Sequence, residues 1–200
     1  MLGVLPRFAA LVTIVLVAQG CMASRRIGEP RPLAPGSWPV AATEIRSVSI
    51  DFESVWIAFG RPRQVSQEAA DVHFAPILKA YTDSGLFSEV FAGEEPGVDL
   101  IVTVRFTNSA RETSVVRSIL AGLTGFWFPY KVAKDFRLET TVKDETGVAL
   151  GEANQEDGIV TTAQVLLVFT PQSRNKATFD EMAYDLARDS ILDLHRQGVW

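Results

Sequence analysis

The chain has 200 residues, of which 47% are hydrophobic and 22% charged, and its formal net charge is −5. This composition is typical of one globular domain and excludes an intrinsically disordered chain. The acidic balance argues against a nucleic-acid partner, because proteins that bind nucleic acids carry a basic surface.

Residues 1–20 have the pattern of a signal peptide. Arg7 precedes an apolar run from Phe8 to Ala18, which is short for a membrane-spanning helix. Cys21 is the only cysteine, so no intramolecular disulfide bond is possible. The preceding Ala18-Gln19-Gly20 fits ordinary signal cleavage, and it also resembles the lipobox of bacterial lipoproteins, which usually has Leu where Ala18 stands. We favour lipidation of Cys21, because the lone cysteine falls at the cleavage point.

Lipidation of Cys21 predicts a palmitate-bearing lipoprotein. Its partner is the membrane, to which the N-terminal lipid anchor attaches it. Each buried methylene of the acyl chains contributes about 0.8 kcal/mol, so the anchor is stable. Met22 follows the cysteine, and by the sorting pattern of similar lipoproteins this favours the outer membrane, facing the periplasm. Residues 21–41 contain four prolines and predict an extended tether, with Arg25, Arg26 and Arg31 solvated or touching headgroups.

Residues 42–200 are predicted to form a single α+β domain. Alternation from Val48 to Phe52 predicts a strand, continued after a break over 55–59 and ended by Gly60-Arg61-Pro62. Ser66 is the predicted N-cap of an amphipathic helix that Pro76 kinks or divides and that Gly85 ends.

The second half of the domain is predicted to be richer in strands. Strands are expected over 88–92, 100–107 and 136–143, with a hairpin turn at Gly147. A return strand begins at Val148, and the β-branched segment 159–169 is read as a further strand or an apolar crossing. Helical spacing predicts a last helix from Lys176 to Gln197, stopped by Gly198. The fold class is therefore a two-layer α+β sandwich, with an antiparallel-rich sheet and two amphipathic helices on one face.

The segment 118–130 is unusual for its apolar character, and it is too short to span a bilayer as a helix. Three interpretations stay open: a plug of the domain core, a patch that docks a partner protein, or an element of the membrane interface. The first is favoured. The candidate contact residues for the other two are Phe126, Trp127, Phe128 and Tyr130.

No sequence motif indicates catalysis. His73 and His195 lie on predicted helices outside any motif, and we interpret both as surface or boundary residues. No metal-ligand spacing, nucleophile elbow or phosphate-binding loop occurs, so we expect no metal and no cofactor. We interpret the carboxylates as solvated charges, although a pair flanking a cleft would suit a glycosidase. They include Glu94, Glu95, Glu152, Glu156 and Asp157.

Four segments together resemble bacterial envelope lipoproteins: SGLFSEVF (84–91), VDLIV (98–102), LTGFWFPY (123–130) and VKDETG (142–147). The domain is similar to the N-terminal domain of the Tol periplasmic protein and to the core of the curli-secretion lipoprotein. This resemblance covers about residues 45–200, and it implies a fold and an envelope role without any catalytic residue. Pore formation is not carried over, because 118–130 and 159–169 lack the alternation of membrane hairpins.

The resulting prediction is a non-enzymatic, membrane-anchored periplasmic lipoprotein that acts in envelope assembly or binds an envelope protein. Two alternatives stay open. One is an envelope hydrolase with an unrecognised carboxylate site, and the other is a carrier of a small ligand or lipid.

Overall fold

The structure is a computed structural model, and it describes residues 22–27, 38, 46–58, 60–110, 123, 130–163 and 172–200. Seven strands and two helices make up this part of the chain. The strands are β1 (Met22–Arg26), β2 (Arg46–Ala58), β3 (Arg61–Gln64), β4 (Phe87–Ala92), β5 (Leu100–Ala110), β6 (Tyr130–Asp144) and β7 (Ala149–Ala163). The helices are α1 (Gln67–Asp83) and α2 (Gln172–Arg196).

All seven strands form one sheet in the order β1-β7-β6-β5-β2-β3, with β4 also paired to β2. The pairs β1–β7, β7–β6, β6–β5 and β2–β3 are antiparallel, whereas β2 runs parallel to both β4 and β5. Strands β6 and β7 extend four residues beyond β5, since Ala110 lies opposite Lys134 while β6 begins at Tyr130. The predicted antiparallel-rich α+β sandwich is confirmed.

The core lies between the sheet and the helices. Val102, Val104 and Phe106 on β5 are fully buried, and Phe136 and Leu138 continue this face on β6. Alternate residues of a strand point to opposite faces, so the residues between them face away from the helices. The α2 residues that contribute to the core are Met182, Ala183, Leu186, Ala187, Ile191 and Leu194.

Helix α1 begins and ends where the sequence predicts. The Ser66 hydroxyl accepts a hydrogen bond from the Ala69 amide at 3.4 Å, and Gly85 follows the helix with φ +66°. The predicted division at Pro76 is wrong, since α1 is one helix through this residue, and the alternative of a kink stays a prediction. Proline removes one helical hydrogen bond, and Pro76 is among the buried residues of α1.

Three predictions about strands are corrected. Strand β2 is continuous over Arg46–Ala58 instead of breaking after Phe52. Strand β2 ends before Gly60 as predicted, but Arg61 and Pro62 are not turn residues: they begin β3, an edge strand in which Pro62 is tolerated. Strand β7 is continuous over Ala149–Ala163, because partners from other elements satisfy its polar central residues.

Candidate functional site

The predicted contact residues fall largely outside the described part of the chain. Cys21, Phe126, Trp127 and Phe128 are not described, so lipidation and the aromatic patch stay predictions. Tyr130 is the first residue of β6, where it is half-buried and lies opposite Ala163 of β7.

Strand β1 begins directly after Cys21 and is held at both of its edges. On one side it pairs with β7, from Met22 opposite Ala163 to Arg26 opposite Ile159. On the other side the Asn175 side chain of α2 accepts from the Ser24 amide at 2.7 Å. The Asn175 amide also donates to the Met22 carbonyl at 3.0 Å. An edge strand would otherwise leave these backbone groups unpaired, so α2 covers this edge of the sheet.

An ionic cluster fixes the end of β1. Arg26 donates from Nε to Asp157 of β7 at 2.6 Å and from Nη1 to Asp185 of α2. Arg188 donates to Asp185 at 2.7 Å and to Asp189 at 2.9 Å. Burial opposes the positive charge of Arg26, but hydrogen bonds with Asp185 and Asp157 outweigh it and raise the pKa of Arg26. We call Arg26, Asp157, Asp185, Arg188 and Asp189 the β1 clasp.

Strand β1 corrects the prediction of a tether for residues 22–26, whereas residues 28–37 and 39–41 lie outside the described part of the chain. Residues 22–26 form a strand of the domain, although their sequence has no strand periodicity. Arg26 is an ion-pair partner whose side chain is only 10% exposed, and not a solvated linker residue. The other tether arginine in this strand, Arg25, is exposed as predicted, and Arg31 is not described.

A groove of about 810 Å³ crosses the face of the sheet that lies opposite α1 and α2. One row of the sheet brings Ile57, Ser109, Asp135 and Gly158 together, and Ile27 packs on Gly158. The lining is mixed in polarity: Ile27, Ile57, Arg105, Thr107, Ser109, Asp135, Phe136, Arg137, Glu139, Glu156, Asp157 and Gly158.

Both arginines of the groove form ion pairs, Arg137 with residues of its lining and Arg105 with a residue outside it. Arg137 binds Glu156 and lies 3.8 Å from Glu139, and Arg105 lies 3.4 Å from Glu53. Such exposed pairs are screened by water and contribute at most about 1 kcal/mol each, so a ligand could displace them at little cost. The groove therefore suits a polar binding partner.

Glu156 and Asp157, two of the five carboxylates considered for a hydrolase, line the groove. Glu156 and Asp157 are neighbours on β7 but pair on opposite faces of the sheet, with Arg137 and Arg26 respectively. Glu94 and Glu95 lie in the connection between β4 and β5. A glycosidase needs two carboxylates that face each other across one cleft, and Glu156 and Asp157 do not form such a pair because their side chains lie on opposite faces of the sheet. Among the described residues, no group of three or more His, Cys, Asp or Glu could hold a metal ion.

Both histidines have partners within the domain. His73 of α1 lies 2.9 Å from the Ser54 hydroxyl of β2 and packs against Phe106 and Phe179. Burial, reinforced by the positive charge of Lys134, lowers the pKa of His73. The Nδ1 atom of His195 lies 2.7 Å from the Trp200 carbonyl oxygen. These contacts agree with the boundary positions predicted for both residues.

Sequence reasoning missed the clasp and Asn175, the side chain that covers the edge of β1. No local sequence pattern indicates these contacts, because Ser24 and Asn175, and likewise Arg26 and Asp157, are more than 130 residues apart in the chain. One signal was present: α2 carries Asp185 and Asp189 on the core-facing half of the helix around buried Arg188. Buried carboxylates in excess of their local cations require a further cation from another element.

Neither described helix is long and apolar enough to cross a membrane. No protein-family model matches the chain, and no curated protein is detectably similar in sequence.

Two solved structures are similar over most of the chain. A PelC dodecamer from Paraburkholderia phytofirmans has 8% sequence identity and a TM-score of 0.36, over 86% of this chain and 96% of that one. A minor lipoprotein from Acinetobacter baumannii has 9% identity and a TM-score of 0.41, over 75% and 93% of the two chains. Similarity at this level extends no function from either protein to this chain.

Proposed function

We propose that the chain is a lipid-anchored, non-enzymatic lipoprotein of the bacterial envelope, acylated at Cys21. One observation carries the proposal: the first described strand, β1, starts at Met22, next to the lone cysteine, and the clasp holds it in place. Cleavage before Cys21 would remove the apolar leader and leave the folded domain intact. The modified residue would then lie directly at the edge of the sheet.

The domain would act by contact. The groove on the sheet face opposite α1 and α2 offers paired charges, two hydroxyls and two isoleucines to a partner. Polar surfaces of this kind are usual at the rims of non-obligate protein interfaces. The aromatic residues Phe126 to Phe128 are a second possible contact, as the sequence predicts. Placement in the outer membrane, facing the periplasm, rests on Met22 at the position after the cysteine.

Acylation is tested by mass spectrometry of the mature protein from an envelope fraction. The expected product starts at Cys21 and carries acyl chains, and labelled palmitate is incorporated into the protein. Cys21→Ala is expected to abolish both while the purified domain keeps its circular-dichroism spectrum. An unmodified Cys21 thiol, or mature protein that begins elsewhere, contradicts the anchor.

Partner binding is tested by cross-linking in cells followed by purification. Arg137→Glu reverses a charge in the groove, and Trp127→Glu changes the aromatic segment. The matched control is Lys143→Glu, at the opposite end of β6. Loss of a cross-linked envelope protein with Arg137→Glu alone assigns binding to the groove, and loss with Trp127→Glu alone assigns it to the aromatic segment. Recovery of a bound lipid or small ligand by native mass spectrometry would favour the carrier alternative.

A further inference from the structure

The end of the domain next to Cys21 can be identified from the strand register. Met22 lies opposite Ala163, and Ala163 lies opposite Tyr130, so three strands reach this end together. Helix α2 also starts here, since Asn175 in its first turn contacts Met22 and Ser24. We call this region, formed by Met22, Tyr130, Lys131, Ala163 and residues 174–177, the proximal end.

The connection between an acylated Cys21 and the proximal end is very short, because Met22 of the proximal end directly follows Cys21. Consecutive Cα atoms are about 3.8 Å apart, so Met22 lies within one residue of the membrane-bound position. The clasp and Asn175 oppose detachment of β1, which would otherwise lengthen the connection. The fold therefore limits both the height and the tilt of the domain above the bilayer.

The proximal end has the surface chemistry expected at a bilayer. Lys131 and Arg174 are exposed, Lys176 pairs with Asp180, and Met22 is 45% exposed. The opposite end instead places Asp99, Asp144 and Glu145 beside Arg46 and Lys143. Cations near an anionic leaflet are attracted to it, whereas carboxylates are repelled.

We propose that the proximal end docks onto the headgroups of anionic phospholipids in the membrane that holds the anchor, an inference that rests on the proposed function. The strands then stand upright on the bilayer. Strand β7 has 15 residues and spans about 45–50 Å, so its other end projects well beyond the headgroups. The groove faces sideways, where a partner in the periplasm can reach it.

The test uses the full acylated protein in vesicles of phosphatidylcholine, with and without phosphatidylglycerol, that contain a lipid with a quencher on its headgroup. Because acylation occupies Cys21, an introduced cysteine is the only free thiol and can carry a fluorophore. Ala177→Cys labels the proximal end, and Val148→Cys labels the exposed opposite end. The expected result is strong quenching at position 177 and at least about five-fold weaker quenching at 148, which lies roughly 45 Å away along β7.

Two further variants separate docking from simple anchoring. Lys131→Glu with Arg174→Glu is expected to reduce the docked fraction in phosphatidylglycerol vesicles by roughly five-fold per cation, whereas Lys143→Glu has no effect. A Gly/Ser insertion of about ten residues before Met22, with a methionine kept next to Cys21, is expected to lower quenching at 177 toward the level at 148.

The outcomes distinguish this inference from the proposed function. Mass spectrometry of the same sample reports acylation, and an unacylated product overturns the proposed function itself. An acylated product with equal quenching at the two positions overturns the docking alone. The docking alone is also overturned if quenching at position 177 is unchanged by the Gly/Ser insertion or by the Lys131→Glu and Arg174→Glu substitutions.

Discussion

Arg26 of β1 and Asp157 of β7 form an ion pair in which each side chain is only 10% exposed. Their Nε–Oδ2 distance is 2.6 Å, and the second partner of Arg26 is Asp185 of α2. Arg26 therefore joins β1 to both β7 and α2. Asp185 keeps Arg188 as a partner, whereas Asp157 has no second cation among the ion pairs of the described residues.

Removal of Arg26 from the β1 clasp is expected to destabilise the domain. Arg26→Met leaves Asp157 buried without its cation, which costs about 3 kcal/mol of unfolding free energy. Urea denaturation measures the loss, and hydrogen exchange is expected to be fastest in β1 and the adjoining edge of β7. The control Arg25→Met changes an exposed neighbour and is expected to shift stability by less than about 0.5 kcal/mol. Equal effects of the two variants would contradict the role of the clasp.

A buried hydroxyl pair connects α2 to the sheet. Ser190 donates to the Thr140 hydroxyl at 2.8 Å, and both residues are at most 1% exposed. Ser190→Ala is expected to cost about 1–3 kcal/mol, because the buried Thr140 hydroxyl loses its donor. Thr140→Val removes that hydroxyl, so the double variant is expected to be less destabilised than the sum of the two single variants. Additive losses in a double-mutant cycle by chemical denaturation would show that the hydrogen bond contributes nothing.

The lowered pKa of His73 predicts loss of stability in mild acid. The unfolded chain binds a proton at His73 near pH 6.5, whereas the folded protein binds it only at lower pH. Stability due to this residue is therefore complete above about pH 6.5, and it falls as the pH drops toward the folded-state pKa. Thermal unfolding between pH 7.5 and 5 is expected to show a decline that His73→Gln reduces.

The control for this pH effect is His195→Gln, which is expected to keep the decline. Carboxylates act at lower pH: hydrogen bonds from Ser47 and Thr146 lower the pKa of Asp99 and Asp144 respectively. Their contributions are lost only as the pH falls below about 4, outside the tested window. A decline that is the same in wild type and His73→Gln would assign it to other groups.

Gly151 of β7 provides the space in which the C-terminal residues pack. A Cβ atom there would lie 2.6 Å from Val199 Cγ2 and 3.2 Å from Leu194 Cδ2. Gly151→Ala is expected to cost about 1–3 kcal/mol, since Val199 must shift out of a buried position. The exposed neighbour Glu152→Ala is the control, with an expected change below about 0.5 kcal/mol in chemical denaturation. A neutral Gly151→Ala would show that the C-terminal residues pack loosely.

Local sequence patterns predicted most of the elements in this fold. Alternation over β5 and the first half of β2, helical spacing in α1 and α2, and the stop residues Gly85 and Gly147 each have a local physical cause. The local sequence pattern was misleading where polar residues of a strand have partners on elements that are distant in the chain. The central residues 154–158 of β7 look like a loop in the sequence, and they are a strand because Arg26, Arg137 and Ile27 cover their side chains or backbone.

The sequence by itself determined the fold class, because hydrophobic periodicity and turn residues act over a few neighbouring positions. It also supplied the hypothesis of an anchor at Cys21, which depends on one cysteine beside an apolar leader. Only the tertiary structure decided that Met22–Arg26 belongs to the domain. The free energy that holds this strand comes from Asn175, Asp157 and Asp185, and no local pattern encodes a contact made across more than 130 residues.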